Sequence, residues 1–159
     1  MVDPKELRRV MGHFATGVTI ITTHDGAGSC YGLTANAVTS LSLTPPLLLV
    51  CIDRKAESFP YFTRSKVFAV NILSHAQEEL STRFAKSGGD KFAGVAYRPG
   101  RLGAPLLEGT LAWAECRILT THEAGDHVMH VGEVEAADAA GGDPLLFFQG
   151  RYRHLGQVG

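Results

Sequence analysis

Long hydrophobic runs are missing from this sequence, and so are paired cysteines and any surplus of charge of one sign. The longest strongly apolar run, residues 45–52, is far shorter than the roughly 20 residues a membrane-spanning helix needs. The opening residues Asp3, Lys5, Glu6, Arg8 and Arg9 leave no apolar core of the signal-peptide type. Cys30, Cys51 and Cys116 are odd in number, far apart and outside any C-x-x-C pair, which argues against a disulfide framework and against a thiolate zinc site. A soluble protein of the reducing cytoplasm is the expectation. A formal net charge of −1 with 19% charged residues supplies no basic field for nucleic acid or for an anionic membrane surface, so neither partner is expected. Internal repeats and low-complexity stretches are absent as well. The length of 159 residues fits one domain, residues 1–159, with a core that needs no metal or disulfide.

What is present centres on residues 32–40, GLTANAVTS, lying between two strand-like apolar runs. Almost none of its side chains is large enough to fill a core. A strand of small residues lets a ligand come close to the backbone and use its N–H and C=O groups, and Gly32 permits conformations that a Cβ forbids. Thr34 and Asn36 add side-chain donors and acceptors suited to a heteroaromatic edge or a polyol chain. A polar edge strand without a ligand is the competing reading. Just upstream, Gly26-x-Gly28 imitates a dinucleotide fingerprint, but position 31 is Tyr and an extended run follows where that motif needs a helix.

Along the chain, Asp3 as N-cap, Pro4 in the first turn and Glu6 three after the cap predict a capping-box helix, with Leu7, Val10, Met11 and Phe14 at helical spacing and Gly17 closing it. Residues 18–24 form a β-branched strand that turns at Asp25-Gly26. After Thr44-Pro45-Pro46, residues 47–53 do not alternate, which predicts a strand buried on both faces at the centre of a sheet. Ser58 starts a short helix ending near Ser65, residues 67–73 form a strand, and Ser74 caps a second helix with Gln77 at N3 and Leu80 and Phe84 facing inward. Residues 87–99 are an exposed Gly-rich loop holding one apolar knot, residues 92–95. Strands follow over 111–121, 128–136 and 145–155 in an antiparallel meander. Six or seven strands with two or three inserted short helices and no βαβ alternation favour a closed or partly closed barrel: a mainly β (α+β) fold with short peripheral helices.

These segments have a recognisable order. FATGVTIITT (14–23), GLTANAVTS (32–40), PPLLLVCIDRK (45–55), FAVNIL (68–73), AGDHVMHVGEV (124–134) and PLLFFQGRYRHL (144–155) together resemble the flavin reductase-like domain family, the small reductase components of two-component flavin monooxygenases. The resemblance covers nearly the whole chain. It implies an FMN-binding split β-barrel acting as a homodimer, with hydride passing from NADH or NADPH to FMN or FAD and the reduced flavin serving a partner oxygenase component. A non-catalytic FMN-binding or sensor protein, and another split-barrel flavin oxidase such as a pyridoxamine-phosphate oxidase relative, are the alternatives.

Under that resemblance, Thr34, Ala35, Asn36 and Ala37 meet the flavin ring and ribityl chain, with donors stabilising charge that develops near N1 and O2. Many relatives carry Ser-Phe where this chain has Ala37-Val38, so one hydroxyl and one aromatic are missing. Asp53, Arg54 and Lys55, followed by Ser58 at a helix start, form a candidate phosphate anchor, each charged hydrogen bond contributing about 1.5–3 kcal/mol. Family members often place Ser at the positions of Lys55 and Ala56, which shifts weight to Lys55. Lys91 is a second candidate anchor. Gly125-Asp126-His127 resembles the family's G-D-H signature, which implies His127 beside the nicotinamide, donating to its carboxamide or shielding the hydride path, and oriented by Asp126. Tyr152 flanks the same slot, and Gly32, Ser40, Cys51 and Phe84 complete the cofactor-contact set. Two other readings compete. The crowding of His122, Glu123, Asp126, His127 and His130 suggests a metal site, but on a strand His127 and His130 fall on opposite faces. Cys51 suggests a nucleophile, but an apolar strand without an adjacent His makes it a core residue.

Overall fold

A computed structural model describes residues 1–156 of the chain. Helix α1 (Pro4–Met11) begins as the sequence requires: the Asp3 carboxylate accepts from Lys5 N at 2.7 Å, and Pro4 sits in the first turn. Glu6 does not reach back to complete a capping box; it pairs with Arg9 at 2.6 Å instead. The helix also stops earlier than expected, at Met11 with Gly12 as its cap, and Gly17 belongs to a strand. No residue of α1 is buried, and Leu7, Val10, Met11 and Phe14 expose 51–70% of their surface.

Seven strands form the main sheet: β2 (Thr19–His24), β3 (Cys30–Ala35), β4 (Val38–Leu43), β5 (Pro46–Asp53), β6 (Val67–Ile72), β9 (Ala112–Ala124) and β10 (His127–Ala139). Their order is β3-β2-β6-β9-β10-β5-β4, and every pairing is antiparallel. The mainly β fold with short helices is therefore as expected, and the barrel is split in a specific way: hydrogen bonding does not close the sheet. Its two free edges, β3 and β4, are joined through residues 36–37 alone.

Strand β5 is not the sheet's centre, since it lies beside the edge strand β4. It does alternate: Val50 and Ile52 are buried inside, while Leu47, Leu49, Cys51 and Asp53 are half-buried on the outer face. The expected strand over 145–155 is two short ones, β11 (Leu146–Phe148) and β12 (Arg151–Arg153), because Gln149 and Gly150 take φ of +50° and +74° and make a tight hairpin turn. They form a small sheet with β1 (Thr16–Gly17). A further short hairpin, β7 (Tyr97–Pro99) with β8 (Pro105–Leu107), was too brief to show in the sequence pattern.

Inside the sheet's curve, Ile21, Val50, Ile52, Phe68, Val70 and Cys116 pack around Phe62 from α2 (Phe59–Ser65). A second core joins Val18, Ile20, Leu73, Leu107 and Leu145 to Phe84 of α3 (Glu78–Phe84), with Phe92 and Val95 of the apolar knot laid against it. Thus α2 and α3 lie on opposite faces of β3. Ser74 and Gln77 form the expected capping box, on a single 3-10 turn leading into α3. On α3 the inward residues are Ser81 and Phe84, while Leu80 is half-buried.

Candidate functional site

The split in the sheet exposes backbone. In an antiparallel ladder each residue aims its N–H and C=O to the same side, and alternate residues aim the same way. The Gly32 carbonyl points out from the free edge of β3, 3.5 Å from Lys91 Nζ, so Cys30 and Thr34 present their backbone groups along the same edge. Gly32 earns its place by packing rather than by an unusual φ: a Cβ there meets the Phe84 ring at 3.0 Å and Ile21 O at 3.2 Å. Phe84 is the buried floor under Gly32, 1% exposed, and offers almost no surface to a ligand.

Beside this edge lies a cleft of about 280 Å³, walled by Tyr31, Gly32, Ser58, Tyr61, Lys91 and Phe92 among others. Two of its polar groups are unusual. Ser58 is 4% exposed, yet its Oγ has no hydrogen-bond partner, a condition that costs about 1–3 kcal/mol for a buried hydroxyl. Lys91 is half-buried, and burial pulls its ammonium below the usual lysine range, with the Glu57 carboxylate pulling the other way. An anion placed between the two satisfies both. Tyr31 and Tyr61 stack face to face at 3.5 Å on the cleft wall.

Further along β3 a more apolar cleft of about 200 Å³ is lined by Val18, Thr34, Ala35, Asn36, Ser81, Ala85, Phe147 and Tyr152. The Thr34 hydroxyl donates to Ser81 O at 2.6 Å, so its one proton is committed and only acceptor capacity remains for a ligand. Asn36 donates to Thr16 Oγ1 at 3.2 Å. Ser81 Oγ and the Tyr152 hydroxyl share a 2.6 Å hydrogen bond, which ties β3, α3 and β12 into one unit. Tyr152 therefore belongs to this cleft and not to the His127 side. Ser81 escaped sequence analysis; the available signal was a small hydroxyl residue three before Phe84, on the helix face that Phe84 turns inward.

The third group of residues gathers at the β9–β10 turn. His127 Nδ1 lies 2.7 Å from Asp126 Oδ1, and that hydrogen bond holds the exposed Asp126 carboxyl below its ordinary range. A carboxylate only accepts, so Nδ1 carries the proton shared with Asp126, and Nε2 is the ring nitrogen left to meet a ligand. Asp53 is the register partner of His127 on β5. Arg54 N donates to Asp126 O at 3.1 Å, and the Arg54 guanidinium pairs with Glu123 at 3.1 Å. Asp53 Oδ1 accepts from Lys55 N at 2.8 Å. The expected anchor run thus divides: Asp53 and Arg54 join His127, Lys55 is exposed beside them, and Ser58 alone lines the cleft with Lys91.

The remaining candidates are placed by strand parity. Cys51 lies on the outer face of β5 opposite Met129, half-buried, with burial pushing its thiol upward; the core cysteine is Cys116. Ser40 is exposed on β4 at a register shift, and Ala37 is exposed with its carbonyl accepting from Cys51 N. His130 faces inward beneath Phe59 and Phe62, on the face of β10 opposite His127.

Against this geometry, residues 11–156 match the family model described as flavin reductase like domain. The chain belongs to that family. A probable flavin reductase of Rhizobium meliloti is 44% identical over 150 residues, 94% of this chain and 48% of that protein, so the chain spans about half the length of that relative. A flavin-dependent monooxygenase reductase subunit of Mycobacterium tuberculosis is 40% identical over 155 residues, 95% of this chain and 82% of the relative. Among solved structures, an NADH:FAD oxidoreductase of Streptomyces globisporus, in complex with NAD and FAD fragments, superposes with a TM-score of 0.92 at 39% identity, over 99% of this chain and 98% of that one. In this flavin reductase-like chain no helix among the described residues is long and apolar enough to cross a membrane.

Proposed function

We propose that this chain is an NAD(P)H:flavin oxidoreductase that supplies reduced flavin to a separate oxygenase component. The observation that carries the reading is the free edge of β3, where outward backbone groups run beside a cleft whose Ser58 hydroxyl is buried and unpaired. The residues fit a flavin. Backbone groups of Cys30, Gly32 and Thr34 meet the ring's polar edge, the apolar cleft at Val18, Phe147 and Tyr152 takes hydrocarbon surface, and Ser58 with Lys91 takes the phosphate. Bound there, flavin supplies a ring that accepts hydride from reduced nicotinamide. The protein's share is positioning: His127 Nε2 hydrogen-bonds the carboxamide of the donor, and Asp126 holds the imidazole through Nδ1. No proton transfer is assigned to His127.

Residues 1–159 act as a single domain within a homodimer. Two surfaces support the second copy: the outer face of β5 and β10, where Leu47, Leu49, Cys51, Met129 and Val131 form a half-buried apolar row, and the exposed face of α1. His127 and Asp53 sit at the end of that row, which supports a nicotinamide slot near the subunit boundary. Three free cysteines suit the reducing cytoplasm.

The test is loss of nicotinamide absorbance when protein is mixed with NADH and free FMN or FAD. His127→Ala is expected to lower kcat/KM for NADH on the order of tenfold or more, about 1.4 kcal/mol, with flavin affinity nearly unchanged. A protein that binds flavin and turns nothing over sinks the assignment.

A further inference from the structure

The cleft at Ser58 does not end at Lys91. A groove of about 360 Å³, lined by Glu79, Thr82, Arg83, Lys86 and Gly88, shares Gly89, Asp90 and Lys91 with it. A flavin mononucleotide ends on one phosphate, which Ser58 and Lys91 already satisfy. The surface beyond them has its own chemistry.

We propose that the flavin this chain prefers is the dinucleotide, its adenosine phosphate end running past Lys91 into the groove over Arg83 and Lys86. This deepens the reductase reading and rests on it for the position of the first phosphate. Among the described residues, Lys86 has no carboxylate within salt-bridge distance. Arg83 gives one guanidinium N–H to Ala93 O at 2.9 Å and keeps the rest of its donors. These two cations suit a second phosphate. Glu79 and Asp90 in the same groove repel a bare anion but accept from ribose hydroxyls, as carboxylates do in nucleotide sites. Cations followed by carboxylates match a diphosphate followed by a sugar.

The wall between cleft and groove is built for such a path. Gly88 and Gly89 take φ of +84° and +73° and carry no side chain that overhangs the groove. Gly88 N is held by both Glu57 carboxylate oxygens, at 3.1 and 3.0 Å, which fixes the loop against the start of α2.

NADH carries the same adenosine diphosphate chemistry. Continuity with Ser58 and Lys91, rather than with His127, assigns the groove to the flavin's own tail, and the experiment separates the two sources. The native protein and Lys86→Glu are titrated with riboflavin, FMN and FAD, following the quenching of flavin fluorescence. FAD is expected to bind about tenfold tighter than FMN, the worth of one charge-assisted contact, and Lys86→Glu is expected to remove most of that margin. The FMN dissociation constant stays within about twofold. Equal binding of FMN and FAD by the native protein overturns the proposal, as does equal weakening of both in the variant. A raised KM for NADH with FMN as acceptor, at an unchanged FAD-to-FMN ratio, also overturns it by giving the groove to the hydride donor. Preferential FAD binding without any NADH oxidation leaves the proposal standing and removes the reductase reading instead.

Discussion

Ser58→Ala makes opposite predictions for the free and the loaded protein. In the free protein the Ser58 oxygen is buried and unpaired, so its removal abolishes a desolvation penalty of about 1–3 kcal/mol without opening a sizeable cavity. For a domain of this length each kcal/mol moves Tm by about 2–4 °C, so the free variant is expected to melt roughly 2–12 °C higher than the native protein. Under the proposed placement, the same hydroxyl donates to a phosphate dianion in the loaded protein. Losing that bond, worth about 1.5–3 kcal/mol, weakens FMN roughly 10- to 100-fold. Riboflavin has no phosphate, and its affinity stays where it was. Differential scanning calorimetry with and without FMN reads both effects at once, because ligand-induced stabilisation follows the ratio of ligand concentration to Kd. A free variant that melts lower, together with unchanged FMN affinity, refutes the reasoning: the hydroxyl then has a partner of its own, and the phosphate binds elsewhere.

Four further outcomes are expected. Asp126→Ala removes the acceptor that fixes His127, so KM for NADH rises several-fold while flavin affinity holds, measured by steady-state kinetics beside a flavin titration. His130 is fully buried, and burial lowers its imidazole pKa below the ordinary 6.5, so the unfolded chain binds the extra proton first. Its contribution is intact above about pH 6.5 and is lost as pH falls toward the folded value; urea unfolding at a series of pH values shows this slope, and His130→Leu flattens it. Leu49→Lys places a charge in the apolar row outside β5 and is expected to convert a dimer to a monomer by light scattering, with activity lost alongside. Tyr152→Phe breaks the 2.6 Å bond to Ser81 and costs about 1 kcal/mol, read as a lower denaturation midpoint.

The sequence made the elements legible wherever local chemistry decides them. Asp3 and Ser74 start their helices as predicted, and Asp25 closes the β2–β3 hairpin by accepting from Ala27 N and Ser29 N. What it left hidden is what depends on distant partners. Residues 47–53 look like a central strand because both faces are apolar, yet the sheet order places them next to an edge, and the outer apolar row stays half-buried. The run from Asp53 to Ser58 looks like one anchor because its members are neighbours in sequence. Arg54 is drawn to Glu123 across the sheet, and of the candidate anchor residues in that run only Ser58 lines the cleft, beside Glu57. At Gly32 the demand for glycine comes from packing and not from φ, and no local rule announces that Phe84, 52 positions later, lies underneath.

The split between β3 and β4 joins stability to function in one feature. Consecutive strands with a two-residue connection ordinarily pair as a hairpin, and here they diverge to opposite edges of the same sheet. Closing the barrel would satisfy the outward groups of Cys30, Gly32 and Thr34 but would also fill the space beside them with backbone. Left open, the edge must find partners outside the sheet, since unpaired edge groups are a template for association. Lys91 covers the Gly32 carbonyl from one side; under the reading proposed above, a ligand's polar edge covers the neighbouring groups and a second copy the outer face. Flavin binding should therefore stabilise β3 and the 86–92 loop more than the β9–β10 hairpin. Hydrogen exchange with and without FMN is the measurement, and uniform protection across both regions counts against the placement along β3.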